Sequence, residues 1–221
     1  MATGLEYDSL WNEAHRSFDG GTLRVDRAPV DGDARWGLSL VLLPPAHVAE
    51  SVSAAATEIG GLYDGAHHIY DTADDLHLTV TSLEPYREEV AQTTIEHYVD
   101  AVERARHLLD VNVRLVGLGG SPSGVFVQGL HDETLLPIRR QMRQAAADLH
   151  DGVAPPMAFV RDTAHISVSV HREAVPEPRA AEYVQQHRRT GFGDITEATV
   201  ALARYRATEH SMSVEVVHAV R

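Results

Sequence analysis

The sequence predicts an α+β fold made of two related lobes that face one cleft. Three observations predict it. Apolar strands and amphipathic helices interleave along the chain. Many connections between strands are short enough for hairpins, which favours antiparallel or mixed sheets over a doubly wound parallel one. Two strictly alternating strands with the same residue pattern also lie far apart in the chain, as a pair of related lobes requires.

The elements follow in order. Tyr7, Leu10, Trp11, Ala14 and Phe18 recur at helical spacing, so the chain opens with a short amphipathic helix that Gly20-Gly21 ends. Residues 22–25 fit a short strand. Residues 26–33 are charged, carry Pro29 and Gly32, and read as a linker. Residues 1–35 are therefore expected to be an N-terminal extension, a packing arm with a lid or dimer contact as alternatives, ahead of one domain over 36–221. Residues 36–43 (WGLSLVLL) read as an apolar strand closed by Pro44-Pro45, and residues 46–59 as an Ala-rich helix ended by Gly60-Gly61. A short strand is expected at 67–70. Residues 76–83 (LHLTVTSL) alternate strictly, the pattern of a half-buried strand. Residues 88–109 form a long helix with Ile95, Tyr98, Val99, Val102 and Leu109 on one face. A strand at 111–118, a turn from Gly119 to Gly124 and a strand at 125–130 make a hairpin. Asp132 is suited to cap a helix running to about His150. Residues 152–156 are a loop, 164–170 (AHISVSV) the second alternating strand, and 177–188 a helix. Strands at 195–205 and 211–220, joined by a turn at Thr208-Glu209-His210, finish the chain.

Composition excludes several classes. The 221 residues carry 32 acidic and 19 basic side chains, a formal charge of -13, and every basic one is Arg. Without Lys there is no Schiff base, no phosphate-binding lysine of the P-loop kind and no pyridoxal phosphate anchor. Without Cys there is no disulfide framework, no thiol nucleophile and no Cys-ligated metal. Such an acidic chain is a poor partner for duplex DNA, whose binding depends on phosphate neutralisation. No apolar run reaches the roughly 18 residues of a membrane span. The N-terminus lacks a basic segment, so no signal peptide is expected and a cytoplasmic location is. Oligomeric state is not legible.

The two alternating strands carry the chemistry. The first reads Leu76-His77-Leu78-Thr79-Val80 and the second Ala164-His165-Ile166-Ser167-Val168. With a period of two, His77 and Thr79 share one face, His165 and Ser167 share the other strand's, and the apolar residues point away. Each strand thus offers an imidazole and a hydroxyl about 7 Å apart. Displacement at phosphorus wants this set. One neutral imidazole removes a proton from the attacking oxygen, one protonated imidazole supplies the leaving oxygen, and hydroxyls bind the non-bridging oxygens. No metal or other cofactor is expected.

The sequences His77-Leu78-Thr79-Val80 and His165-Ile166-Ser167-Val168 resemble the paired His-x-Thr/Ser-x motifs of the two-histidine (2H) phosphoesterases. That superfamily includes 2′,5′-RNA ligase-like proteins and cyclic nucleotide phosphodiesterases. The likeness extends over about residues 36–220. It implies two pseudo-symmetric lobes of antiparallel or mixed sheet with outer helices and a central cleft. It also implies metal-independent cleavage of a phosphodiester, often a 2′,3′-cyclic phosphate, in a small nucleotide or an RNA 3′-end. His77 and His165 would be the acid-base pair, in an order that depends on which ester oxygen leaves, and Thr79 and Ser167 the phosphate ligands. Many relatives carry an Arg aligned with Ser169 or Val170; here the nearest is Arg172. The alternatives are a protein that binds a phosphorylated ligand without turnover, or the same cleft used for another acid-base reaction.

Other residues are weaker candidates. His171 continues the alternation of His165, Ser167 and Ser169 and is expected on their face, at the rim. Tyr70, Phe126 and Tyr205 could stack on a base, although a half-buried core role is the ordinary reading. His67 and His68, being adjacent, point to opposite faces and do not make a metal pair. Arg139-Arg140 and Arg188-Arg189 are expected to be solvated surface pairs.

Overall fold

A computed structural model of the chain describes residues 4–63, 67–70, 72–131, 133–160, 162–207 and 212–220. The elements are α1 (Gly4–Gly20), β1 (Ser39–Leu43), α2 (Ala46–Gly60), β2 (His67–Ile69), β3 (Leu78–Ser82), α3 (Gln92–Arg104) and β4 (Val113–Ser121). They continue with β5 (Gly124–His131), α4 (Leu135–Leu149), β6 (Ala164–His171), α5 (Pro178–Gln186), β7 (Gly191–Ile195), β8 (Thr199–Ala207) and β9 (Met212–Val220). The expected cap Asp132 and turn Thr208-Glu209-His210 lie outside the described residues. Among the described residues no helix is long and apolar enough to cross a membrane.

Every strand pairing is antiparallel, in the order β7-β4-β5-β6-β3-β1-β8-β9, with β2 on β6. The order divides at its centre. The strand carrying each motif, β3 or β6, stands at the seam, and three further strands extend outward from it. This is the two-lobed α+β arrangement. The sheet is strongly curled, as one connection requires. Only residues 196–198 link β7 to β8, so the joined ends lie within about 15 Å of each other. In a flat sheet the six steps between these strands would put them roughly 29 Å apart.

The alternating strands bury one face each. Leu76, Leu78 and Val80, with Ile166 and Val168, are at most 1% exposed and join a single core with the inner faces of α2, α3 and α4. The helices cross over. α2 follows β1 but packs against β6 and β7, and α4 follows β5 but packs against β3. Each lobe is thereby braced by a helix from the other lobe's strand succession.

The N-terminal segment is woven into this core. Tyr7, Trp11, Ala14 and Phe18 are buried where α1 meets β4 and α5. The Tyr7 hydroxyl accepts the Ala164 N–H (3.0 Å) and donates toward the Gly129 carbonyl (3.0 Å). No strand forms at 22–25. Instead Arg24 N–H donates to the Pro122 carbonyl, Asp26 N–H to His171, and Tyr86 N–H to Asp33, each at 2.7 Å. The arm therefore runs from the β4–β5 hairpin of one lobe to the segment after β3 in the other.

Several boundaries moved, for physical reasons. The expected turn from Gly119 to Gly124 contracts to Pro122-Ser123, because Gly119 and Gly120 belong to β4 and Gly124 opens β5. A Cβ on Gly119 would lie 2.6 Å from the Phe126 ring, and one on Gly120 3.0 Å from Trp11, so their lack of side chains admits two aromatic rings. The strand expected at 195–205 is β8, which starts only at Thr199. The edge strand β7 (GFGDI), which precedes it in the other lobe, was not expected; it buries only Phe192 and Ile195, too little apolar pattern to show. Arg139 is fully buried, not solvated. β3 and β6 pair only where Leu78 meets Ile166 and then diverge. Arg139 reaches from α4 into the opening, donating to the Val80 carbonyl through Nε and to the Thr163 carbonyl through an Nη, both at 2.8 Å. Arg188 is largely buried as well, pairing with Asp8 and lying 5.6 Å over the Trp11 ring.

Candidate active site

The seam between the lobes places the motif side chains. With Leu78 opposite Ile166 where the lobes meet, His77 and Thr79 flank that pairing at the start of β3, and His165 and Ser167 flank it on β6. Two imidazoles and two hydroxyls thus form one patch at the seam. All four line one cleft of about 1010 Å³. The apolar residues between them anchor both strands to the core, so the patch rests on rigid elements.

The two imidazoles differ. His77 is 7% exposed. Its Nδ1 lies 2.7 Å from the Asp75 carbonyl, which only accepts, so Nδ1 carries the proton. The bare Nε2 accepts from the Tyr205 hydroxyl at 2.8 Å. Burial lowers its pKa below the usual imidazole value, against the opposing pull of the Asp75 carbonyl and carboxylate. His77 is thus a neutral imidazole of fixed tautomer whose open nitrogen faces the cleft wall formed by Tyr205. His165 is half-buried, with its ring 5.0 Å from that of Phe126. Phe126 in turn stands opposite Ser167 in the β5–β6 ladder.

The remaining sequence candidates divide. Tyr70 lines the cleft, 6.3 Å from the Trp36 ring and 6.4 Å from that of His77. His171 does not, and the reason is a β-bulge. In the β5–β6 ladder Val125 faces Ser169 while the next residue, Phe126, faces Ser167. Val168 is the extra residue, and it shifts the alternation by one. Ser167 stays with Phe126 on the cleft face, whereas Ser169 and His171 turn with Val125 into the core. His171 is fully buried between the edges of Phe18 (5.1 Å) and Tyr63 (6.4 Å), and desolvation lowers its pKa to about 4. Arg172 lines a separate small pocket beside Asp26, His68 and Met212. There the His68 Nδ1 accepts the Met212 N–H at 3.2 Å.

Three cleft residues were not singled out for these places by sequence reasoning. Tyr205 holds the His77 nitrogen. Trp36 packs edge-on against Tyr205, with ring centres 5.5 Å apart, from a left-handed backbone (φ 65°) that bulky residues seldom adopt. That backbone explains why β1 begins at Ser39 rather than at Trp36. Arg24, on the arm, donates to the Ser123 hydroxyl at 3.1 Å. The period-two run Ala201, Ala203, Tyr205 was a usable signal for Tyr205; nothing local marks Arg24. Among the described residues no three His, Asp or Glu side chains converge as a metal site.

No family model matches the chain, and no curated protein does. Solved structures do. The Thermus thermophilus protein TT0787 is 19% identical, with 83% of this chain and 96% of that one covered, at a TM-score of 0.64. E. coli LigT in complex with 3′-AMP is 15% identical, covering 84% and 97%, at 0.57. A phosphoesterase is 16% identical over 84% and 97%, at 0.56. At these identities the likeness shows the fold, and the fold is the one that the resemblance to the two-histidine phosphoesterases implies.

Proposed function

We propose that this phosphoesterase fold supports metal-independent hydrolysis of a phosphodiester in a small nucleotide or an RNA 3′-end, of the 2′,3′-cyclic phosphate type. The observation that carries the reading is the patch of two imidazoles and two hydroxyls at the seam of one cleft. LigT, which shares the fold, has been seen with ATP, with 3′-AMP and with phosphate, which supports a nucleotide as ligand.

In this reading each side chain has a role. His77, neutral with a bare Nε2, is the general base. It takes a proton from a water molecule as that oxygen bonds to phosphorus. His165, half-exposed in the cleft, gives a proton to the ribose oxygen as its bond to phosphorus breaks. Thr79 and Ser167 donate to the non-bridging oxygens as charge grows on them. The two protons then exchange with solvent and restore the starting state. Tyr205 holds Nε2 in line until the water displaces its hydroxyl.

The test is hydrolysis of nucleoside 2′,3′-cyclic phosphates in EDTA. The native protein is expected to turn them over, and His77→Ala and His165→Ala each to lose roughly 10² to 10⁴ in kcat. Absence of native activity, or activity that survives both substitutions, overturns the reading. Saturable binding without product would instead make the cleft a phosphoryl-ligand binding site.

A further inference from the structure

The cleft is electrically polarised along β6. At the end where β6 begins, its lining carries the acids Glu6 and Asp162 together with the half-exposed ring of Phe159. Tyr7, beside Glu6, fixes that end through Ala164. At the other end the lining carries Arg24 and Arg35. That end is fixed by the hydrogen bond of Asp26 N–H to the His171 carbonyl. Arg35 is already neutralised by Asp26 and lies over the Trp36 ring. Arg24 is exposed, and its guanidinium hydrogen-bonds a hydroxyl, Ser123, while the Asp26 carboxylate, bound to Arg35, acts on it only through space. Ser123 and Ser121 hydroxyls lie 3.0 Å apart beside it, and the arm backbone is pinned there by the bond to Pro122. On a chain of charge -13, one cation fixed against two hydroxyls inside a cleft is a selective place for an anion.

We propose that Arg24, Ser121 and Ser123 form a second anion subsite, which takes a phosphate other than the one being cleaved. The spacing sets what that phosphate belongs to. The Ser123 carbonyl accepts the His171 N–H, four residues beyond Ser167, so the subsite lies about 10–13 Å along the strand from the reacting patch. Side chains at both ends hold a phosphate off the backbone, so a single nucleotide is the unit proposed to span that gap. Trp36, which lines the same cleft, offers an indole for a base or sugar. The favoured substrate therefore carries a 5′-phosphate on the same nucleotide whose cyclic phosphate is opened. A bare nucleoside cyclic phosphate leaves the subsite empty. This inference rests on the hydrolysis reading above for its substrate but on the Arg24 cluster for its selectivity.

The experiment compares adenosine 2′,3′-cyclic phosphate with its 5′-phosphorylated form, using native protein, Arg24→Ala and Arg24→Glu. The native protein is expected to show a KM about tenfold lower for the 5′-phosphorylated form, the size of one charge-assisted contact. Arg24→Ala brings the ratio of the two KM values near one, and Arg24→Glu inverts it. No native preference, or a preference that Arg24→Glu leaves intact, overturns the subsite. If neither compound is turned over, hydrolysis fails as the activity and calorimetry reads the subsite alone. Tighter binding of adenosine 3′,5′-bisphosphate than of 3′-AMP, lost in Arg24→Glu, supports it, and equal affinities overturn it.

Discussion

His77 and His165 occupy equivalent places in two strands of the same pattern, yet their surroundings make them different reagents. His77 is dry, its tautomer fixed by the Asp75 carbonyl and its open nitrogen held by Tyr205. His165 is wetter and rests against an aromatic ring. The Tyr205 hydroxyl can donate to Nε2 only while the imidazole is unprotonated, so this bond adds to burial in keeping His77 neutral. Tyr205→Phe is therefore expected to raise the His77 pKa and move the acidic limb of kcat/KM to higher pH. A shift of up to about one unit corresponds to one hydrogen bond of about 1 kcal/mol. A pH–rate profile of the variant checks it, and an unmoved limb removes Tyr205 from any role in setting the base. The motif histidines and hydroxyls were readable because a period-two pattern reports which residues share a face. Trp36 and Arg24 were not, and neither was the bond of Tyr205 to His77, since these places depend on strands and an arm brought together from far apart in the chain.

At the level of elements, alternation was a sound guide until a strand departed from regularity. In β6 it placed His165 and Ser167 correctly relative to each other and then failed at His171, because Val168 is bulged and nothing in its sequence marks it. The same limit hid β7, whose glycines give it no apolar face, and the burial of Arg139, whose reason is the divergence of two strands from other parts of the chain. Arg139 satisfies carbonyls on both sides of that divergence. Replacing it by Met fills much of the volume but leaves Val80 and Thr163 carbonyls without these donors. Arg139→Met is expected to cost roughly 2–4 kcal/mol, counting one to two buried acceptors. Arg140→Met, on the exposed neighbour, is expected to stay within about 0.5 kcal/mol. Urea unfolding of the two variants measures the difference.

For the molecule as a whole, the buried neutral imidazoles tie stability to pH. His171 binds its proton only near pH 4 in the folded state, because burial disfavours its charge, while the unfolded chain binds it near 6.5. His77 is shifted in the same direction. Between these values the unfolded chain holds more protons, so stability is full above about pH 6.5 and falls as pH drops toward 4. For His171 alone the loss between pH 7 and 5 is about 2 kcal/mol. His171→Gln, which cannot titrate, is expected to flatten that part of the profile by this amount, whatever its effect at pH 7. Urea midpoints at the two pH values decide it, and an equal slope in both proteins would show that His171 does not contribute.

The order of strands across the sheet also has a meaning in time. β1 and β3 are synthesised early, yet β8, which closes the far side of β1, lies more than 150 residues later in the chain than β1. The lobe of β4, β5 and β6 has its three adjoining strands as soon as residue 171 has emerged. The other lobe waits with the apolar edge of β1 uncovered until almost the whole chain has left the ribosome. Pairings this distant close slowly, and an unpaired apolar edge invites contact with other chains. A nascent chain of this protein is thus most exposed to aggregation in the interval before residues 199–207 arrive, and that interval is where a holding chaperone would matter most.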